Sequence, residues 1–131
     1  KKLACWGRTR FDQISQNDIL RSGCGPADTY TRKGFACNIV KTDNSVLNNV
    51  EKVQSYGNTT CAIVKENDKG QLYCWGFRFD GNGIDANTRT ESNPAHNTNY
   101  AQKIPGFESE SLVGLAMQQN KACVTTESGY V

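Results

Sequence analysis

Six cysteines are the side chains with the most distinctive chemistry in this 131-residue sequence. They could ligate zinc, but no Cys-x-x-Cys spacing occurs and His96 is the only histidine, so the donor pattern of a zinc site is missing. An even number of cysteines in a small chain rich in glycine and polar residues favours disulfides, which persist in oxidising compartments. We therefore predict three disulfides and an extracellular or cell-surface location. The cysteines are Cys5, Cys24, Cys37, Cys61, Cys74 and Cys123.

Other residues with catalytic or metal-binding potential lack the companions that such chemistry needs. Asp12 and Asp80 are carboxylates of the kind paired in glycoside hydrolysis, but they follow two similar motifs at matching positions, which favours turn capping. The run DGNGIDANTRTE, residues 80–91, has an isoleucine and an aspartate where a calcium loop needs an acidic ligand and a glycine. His96 lies in a polar stretch without a paired nucleophile. We predict no enzyme activity, no metal and no cofactor.

The segments that carry the cysteines occur twice. The tripeptide Cys-Trp-Gly stands at residues 5–7 and again at 74–76, each time shortly before Phe-Asp. Residues 49–64 align in the same way with residues 111–126. Repetition at a regular spacing, with insertions confined to polar stretches, is typical of repeat architectures. The sequence therefore predicts a single domain that spans residues 1–131 and contains two repeats, at about 5–64 and 65–126.

Residues 59–77 have the pattern of a β-hairpin. Two short runs rich in β-forming residues flank the sequence ENDKG, in which Gly70 can supply a positive φ. A turn centred on residues 67–68 places Cys61 opposite Cys74. A pair of this kind in an antiparallel ladder brings the two Cβ atoms close enough for a disulfide. We predict a Cys61–Cys74 bridge.

The two ends of the sequence match complementary parts of this hairpin. Residues 121–131 correspond to its first arm and turn, and residues 1–8 correspond to its second arm. We expect the N-terminal strand to complete the hairpin that the C-terminal strand begins, with a Cys5–Cys123 bridge. The pairing can form within one chain, which effective concentration favours. It can also form between chains and build a dimer, ring or filament.

The pattern C-A-I … G-x-L-Y-C-W-G … G-x-G … P … G-F … L, residues 61–115, resembles the repeat of the regulator of chromosome condensation family. The resemblance implies that each unit supplies one blade of a seven-bladed propeller, with Leu72, Tyr73, Trp75 and Gly76 in its inner strand. Two units cannot close such a ring, so we expect a fragment, a two-unit miniature or a subunit of an assembly. The cysteine pairs resemble extracellular members, and the small GTPase and chromatin bound by the nuclear prototype are not expected.

The expected fold is all-β, with two propeller-blade-like antiparallel repeats, long loops and closure by pairing of the N- and C-terminal strands. Trp6 and Trp75 occupy equivalent positions beside strand cysteines, so we assign them, with Gly7 and Gly76, to the structural core. Asn58 begins an Asn-Thr-Thr sequon and is a candidate for glycosylation.

Two long polar loops are the candidates for ligand binding, because rigid scaffolds present recognition residues on loops. One loop covers residues 86–107. The other, residues 25–36, is bracketed by Cys24 and Cys37, which we pair as the third disulfide. The candidate binding residues are Arg89, Asn93, His96, Asn97, Asn99 and Tyr100 in the first loop, and Asp28, Tyr30, Arg32 and Lys33 in the second.

The function predicted from these features is non-enzymatic recognition of a protein partner by an exported or cell-surface module. Two alternatives remain open: a lectin-like glycan binder, and a self-assembling structural or filament subunit joined by its terminal strands. A net charge of +2 lacks the dense positive face that nucleic-acid binding requires. No apolar run in the sequence is long enough to span a membrane.

Overall fold

The computed structural model describes residues 1–7, 32–43, 45–57, 59–77, 97–118 and 121–129. These residues form eight strands and no helix, which confirms the all-β prediction at the level of fold class. The strands are β1 (Ala4–Gly7), β2 (Arg32–Asn38), β3 (Val50–Tyr56), β4 (Thr59–Glu66), β5 (Lys69–Phe77), β6 (Asn97–Lys103), β7 (Leu112–Gln118) and β8 (Lys121–Thr126).

The strands form three antiparallel sheets. Strands β3, β4, β5 and β6 follow one another in a four-stranded meander, which we call the central sheet. Strands β1 and β2 form the N-terminal pair, and strands β7 and β8 form the C-terminal hairpin.

The hairpin predicted over residues 59–77 is confirmed as β4 and β5. Glu66 faces Lys69 at its end, which leaves Asn67 and Asp68 as the two turn residues. Both turn residues have positive φ, 49° and 63°, as expected for a two-residue turn whose twist matches that of the strands. The expectation that Gly70 supplies the positive φ is therefore wrong, because the asparagine and aspartate of the turn adopt this conformation.

The inner strand β4 of the central sheet is buried on both faces, whereas the neighbouring strand β3 is mostly exposed. Along β4, every residue from Thr59 to Val64 is buried, so the strand lacks the alternation of a half-exposed strand. Successive side chains point to opposite faces, and they contribute to two separate clusters. One cluster contains Ile39, Leu47, Val50, Ala62, Val64, Tyr73, Trp75 and Ala101, with Leu3 and Cys5 packed against it. The other contains Cys61, Ile63, Leu72, Cys74 and Leu112, with Ile104, Phe107, Leu115, Met117 and Val124 packed against it.

The two clusters place the smaller sheets on opposite sides of the central sheet. The N-terminal pair contributes Cys5 to one cluster, together with the neighbouring residues Leu3, Ile39 and Leu47. The C-terminal hairpin contributes Leu112, Leu115 and Val124 to the other. The described strands thus form a stack of three layers, with their only four-stranded sheet in the middle.

Hydrogen-bond registers recur along the chain. The β3–β4 ladder runs from Val50↔Val64 to Tyr56↔Thr59. The β7–β8 ladder repeats each of these pairs 62 positions later, including the irregularity near its start.

The N-terminal pair corresponds to β5 and β6 in the same way. The β1 residues paired with β2 are Ala4, Cys5 and Gly7, and each lies 69 positions before a β5 residue that is paired with β6. In both ladders the register shifts between the cysteine and the glycine of Cys-Trp-Gly. An equivalent hydrogen bond follows each pair. The Ile39 amide donates to the Leu3 carbonyl at 3.1 Å, and the Ile104 amide donates to the Leu72 carbonyl at 2.9 Å.

The closure predicted within one chain is not seen among the described residues. Strand β1 pairs with β2 and strand β8 pairs with β7, and the terminal strands do not pair with each other. Cys5 and Cys123 are free thiols. The physical reason is the order of the layers, since the central sheet lies between the two smaller sheets.

Candidate binding edge and its surroundings

Two long segments of the sequence are flanked by strand ends at corresponding places of the repeat. Residues 8–31 join β1 to β2, and Gly7 and Arg32, which flank them, are register partners. Residues 78–96 join β5 to β6, and Phe77 is the register partner of Asn97. Because the two strand pairs are equivalent and pack in consecutive layers, both connections begin and end at the same edge of the stack. We call these four residues the loop-bearing edge.

The structure places several predicted binding residues in strands instead of loops. Arg32 and Lys33 belong to β2, whereas Asn97, Asn99 and Tyr100 belong to β6. The polar run in β6 is compatible with a strand because β6 is the last strand of the central sheet, and besides β5 it has an isolated parallel bridge between Lys41 and Ala101. The predicted residues Arg89, Asn93, His96, Asp28 and Tyr30 lie outside the described residues, as do Asn58 and Cys24 with its predicted bridge to Cys37.

The second Cys-Trp-Gly motif serves three structural purposes. Cys74 is bridged to its register partner Cys61, which confirms the predicted disulfide. Trp75 is fully buried and belongs to the cluster on the opposite face. Gly76 has a φ of 106°, which an L side chain rarely adopts, at the point where the β5–β6 register shifts. In the first motif, Trp6 and Gly7 lie in β1.

A polar cluster that the sequence did not reveal joins three strands of the central sheet. Tyr73 donates its hydroxyl to Glu66 Oε1 at 2.6 Å, and Lys103 Nζ donates to Glu66 Oε2 at 3.0 Å. Partial burial raises the pKa of Glu66, but the hydrogen bonds from Tyr73 and Lys103 outweigh it and bring the pKa below the usual range. Burial, followed by the bond to Glu66, raises the pKa of Tyr73 well above its ordinary value. The Glu66 carboxylate of β4 thus accepts hydrogen bonds from β5 and β6, which links these three strands.

The two free thiols differ in their surroundings. Cys5 is half-buried against the first cluster, and this burial raises the pKa of its thiol. Cys123 is exposed. An exposed thiol is accessible to a soluble disulfide, whereas a half-buried one in apolar surroundings is slower to ionise and react.

Within the described ranges, no three His, Cys, Asp or Glu side chains come together as a group that would hold a metal ion. The same part of the chain contains no helix long and apolar enough to cross a membrane. Comparisons with models of protein families, with curated proteins and with solved structures found no match to this chain.

Proposed function

We propose that the protein is a non-enzymatic, exported recognition module that binds a protein partner at the loop-bearing edge. The observation that supports this most directly is the position of the strand ends that flank the two long connections. The Gly7–Arg32 pair in one layer corresponds to the Gly76–Thr98 pair in the next, one residue from the strand ends Phe77 and Asn97. A stack of rigid sheets that carries two long polar segments at one edge is the arrangement in which scaffolds present recognition residues.

The layers themselves are proposed to be propeller-type blades. Each recurring ladder supplies the first two or the last two strands of a four-stranded meander, and successive meanders pack face to face. Radial repetition of such sheets is the principle of the β-propeller. This proposal accounts for the resemblance of the Cys-Trp-Gly segments to the regulator of chromosome condensation repeat.

The buried Cys61–Cys74 bridge supports a protein that works in an oxidising compartment, because cytosolic thiols are kept reduced. Export to the cell surface or outside the cell would supply that environment. Both long segments mix aromatic, amide and charged residues, a composition suited to protein contacts.

The proposal is tested by comparing substitutions in one of the long segments with substitutions in a strand of the central sheet. The binding variant carries Arg89→Ala, Asn93→Ala and His96→Ala, and the control carries Glu51→Ala and Gln54→Ala on the exposed strand β3. Wild type and variants are applied to arrays of extracellular proteins and of glycans. We expect a protein ligand that the control retains and the binding variant loses at least tenfold. Binding to glycans alone would replace the proposal with the lectin-like alternative, and loss in the control alone would contradict it.

A further inference from the structure

The unpaired strand edges of the three sheets include one edge of β8 and one edge of β1. Among the described residues, no strand pairs with the second edge of β8 or with the second edge of β1. An unpaired edge presents a row of backbone donors and acceptors that is a template for another strand. The two edges are therefore surfaces at which β-strand addition can occur.

These edges of β8 and β1 are complementary to each other. The C-terminal hairpin repeats the register of β3 and β4, the first half of the central sheet. The N-terminal pair repeats that of β5 and β6, the second half. In the central sheet the two halves are joined by the pairing of β4 with β5. The same contact between β8 and β1 would complete a four-stranded sheet in the order β7, β8, β1, β2.

The β4–β5 ladder defines which residues would meet at this junction. Cys61 is opposite Cys74 in that ladder, and Lys65 is opposite Gly70. Adding 62 to the β4 residue numbers gives the equivalent β8 positions, and subtracting 69 from the β5 residue numbers gives the equivalent β1 positions. Two of the resulting pairs are informative. They are Cys123 with Cys5 and Glu127 with Lys1. The first pair unites the two free thiols of the described residues, and the second places opposite charges across the strands.

Both thiols lie on the side of their strands that this junction requires. Cys5 packs toward the central sheet, just as Cys74 packs toward the layer that follows it. Val124 packs on the central sheet, so the neighbouring Cys123 points away from it and is exposed. At the junction, that exposed face would meet the central sheet of the molecule that supplies β1.

We propose that β8 of one copy of this chain pairs with β1 of a second copy, and that a Cys5–Cys123 disulfide joins the two. Within the described residues of one chain the junction is not formed, because the two half-sheets lie on opposite faces of the central sheet. The complementary register, the two free thiols and the opposite charges assign the edge of another copy as the occupant of each of these two edges. This inference is independent of ligand binding at the loop-bearing edge.

The covalent step is an exchange with a small-molecule disulfide. The exposed Cys123 thiolate attacks the disulfide, forms a mixed disulfide and releases one thiol. Cys5 of the second copy then loses its proton and attacks the Cys123 sulfur, which releases the second thiol. Two protein thiols are oxidised and one disulfide is reduced to two thiols, so atoms and electrons balance.

The interface is heterologous, since β8 of each copy meets β1 of the next. Contacts of this type give rings when the rotation closes and filaments when it does not.

A competing bridge is available within the N-terminal pair, because Cys5 and Cys37 are register partners in β1 and β2. The central sheet favours the Cys5–Cys123 bridge over the Cys5–Cys37 bridge. Cys74 is the residue of the central sheet equivalent to Cys5. It has Gln102 opposite it in β6 and Cys61 opposite it in β4, and it is bridged to Cys61 in β4. The equivalent of β4 for Cys5 is β8 of the second copy.

The test uses complementary cysteine variants of the 131-residue chain, Cys5→Ser and Cys123→Ser. Each variant alone and a 1:1 mixture are incubated with oxidised glutathione. They are then analysed by non-reducing gels, native mass measurement and disulfide mapping. Wild type should give multiples of the 14.5 kDa chain mass that reductant abolishes. Neither variant alone should cross-link, whereas their mixture should give one product of twice the chain mass with a Cys5–Cys123 peptide.

Three results would overturn the proposal. The first is a wild type that stays at the chain mass at all concentrations. The second is a Cys5–Cys37 peptide, or a Cys5–Cys123 peptide within a single chain. The third is cross-linking of Cys5→Ser alone to the same extent as the mixture, which would mean unspecific Cys123–Cys123 coupling. Because serine replaces a half-buried cysteine at position 5, Cys5→Ala is measured in parallel and must behave in the same way.

Discussion

The contact between the central sheet and the C-terminal hairpin can be tested through Leu112, the first residue of β7. Its side chain is 1% exposed and lies in the cluster formed by Cys61, Ile63 and the other apolar residues of that face. Replacing a buried leucine with alanine removes its transfer free energy and leaves a cavity, at a typical cost of about 2–5 kcal/mol. The neighbouring Val113, 43% exposed, provides a matched control on the opposite face of the same strand.

We expect Leu112→Ala to lower the free energy of unfolding by about 3 kcal/mol, and Val113→Ala by less than about 1 kcal/mol. For a chain of this size, about 3 kcal/mol corresponds to a Tm decrease of roughly 10–15 °C. Urea denaturation and calorimetry measure the global loss. Hydrogen exchange should show that β7 and β8 lose more protection than β4 and β5, because Leu112 anchors the hairpin to the central sheet. Equal losses for the two variants would refute the assigned packing.

Three further predictions concern the central sheet. The double variant Cys61→Ala/Cys74→Ala should lose about 3 kcal/mol of unfolding free energy in urea melts, the chain-entropy cost of opening a loop with a sequence separation of 13. Gly70→Ala should lower the free energy of unfolding by about 1–3 kcal/mol, measured by thermal denaturation, because a Cβ would collide with the backbone of β7. An unchanged Tm would contradict the close contact between β5 and β7. The lowered pKa of Glu66 stabilises the fold above its unfolded pKa, and this stability is lost as pH falls through the folded value. Tyr73→Phe should therefore raise the Glu66 pKa in an NMR titration and flatten the acid limb of the stability curve; an unshifted titration would exclude the hydrogen bond as a cause.

Local patterns in the sequence predicted the β4–β5 hairpin and its disulfide. The turn residues and the two flanking runs are contiguous, so the register of Cys61 with Cys74 follows from the position of the turn alone. Local patterns also suggested a role for Gly70, but the reason was wrong. The glycine is required where β5 passes close to the backbone of Leu112, a residue 42 positions away, and sequence spacing does not reveal that approach.

Features that depend on layer order could not be predicted in this way. The match between the terminal strands showed which edges are complementary, but not that the central sheet separates them. The polar run Asn97–Tyr100 has the composition of a loop, and it becomes a strand because β5 offers it an open edge. The cluster of Glu66, Tyr73 and Lys103 brings together residues whose spacing in the chain follows no recognisable motif.

The paired strand ends at the loop-bearing edge have a consequence for protein engineering. Gly7 with Arg32, and Phe77 with Asn97, bring the start and finish of each connection together through backbone pairing. A foreign peptide inserted between such partners adds length without shifting any ladder, and the entropic cost of closing a longer loop grows only slowly with its length. The two positions are therefore suitable acceptor sites for grafted epitopes, displayed side by side on adjacent sheets.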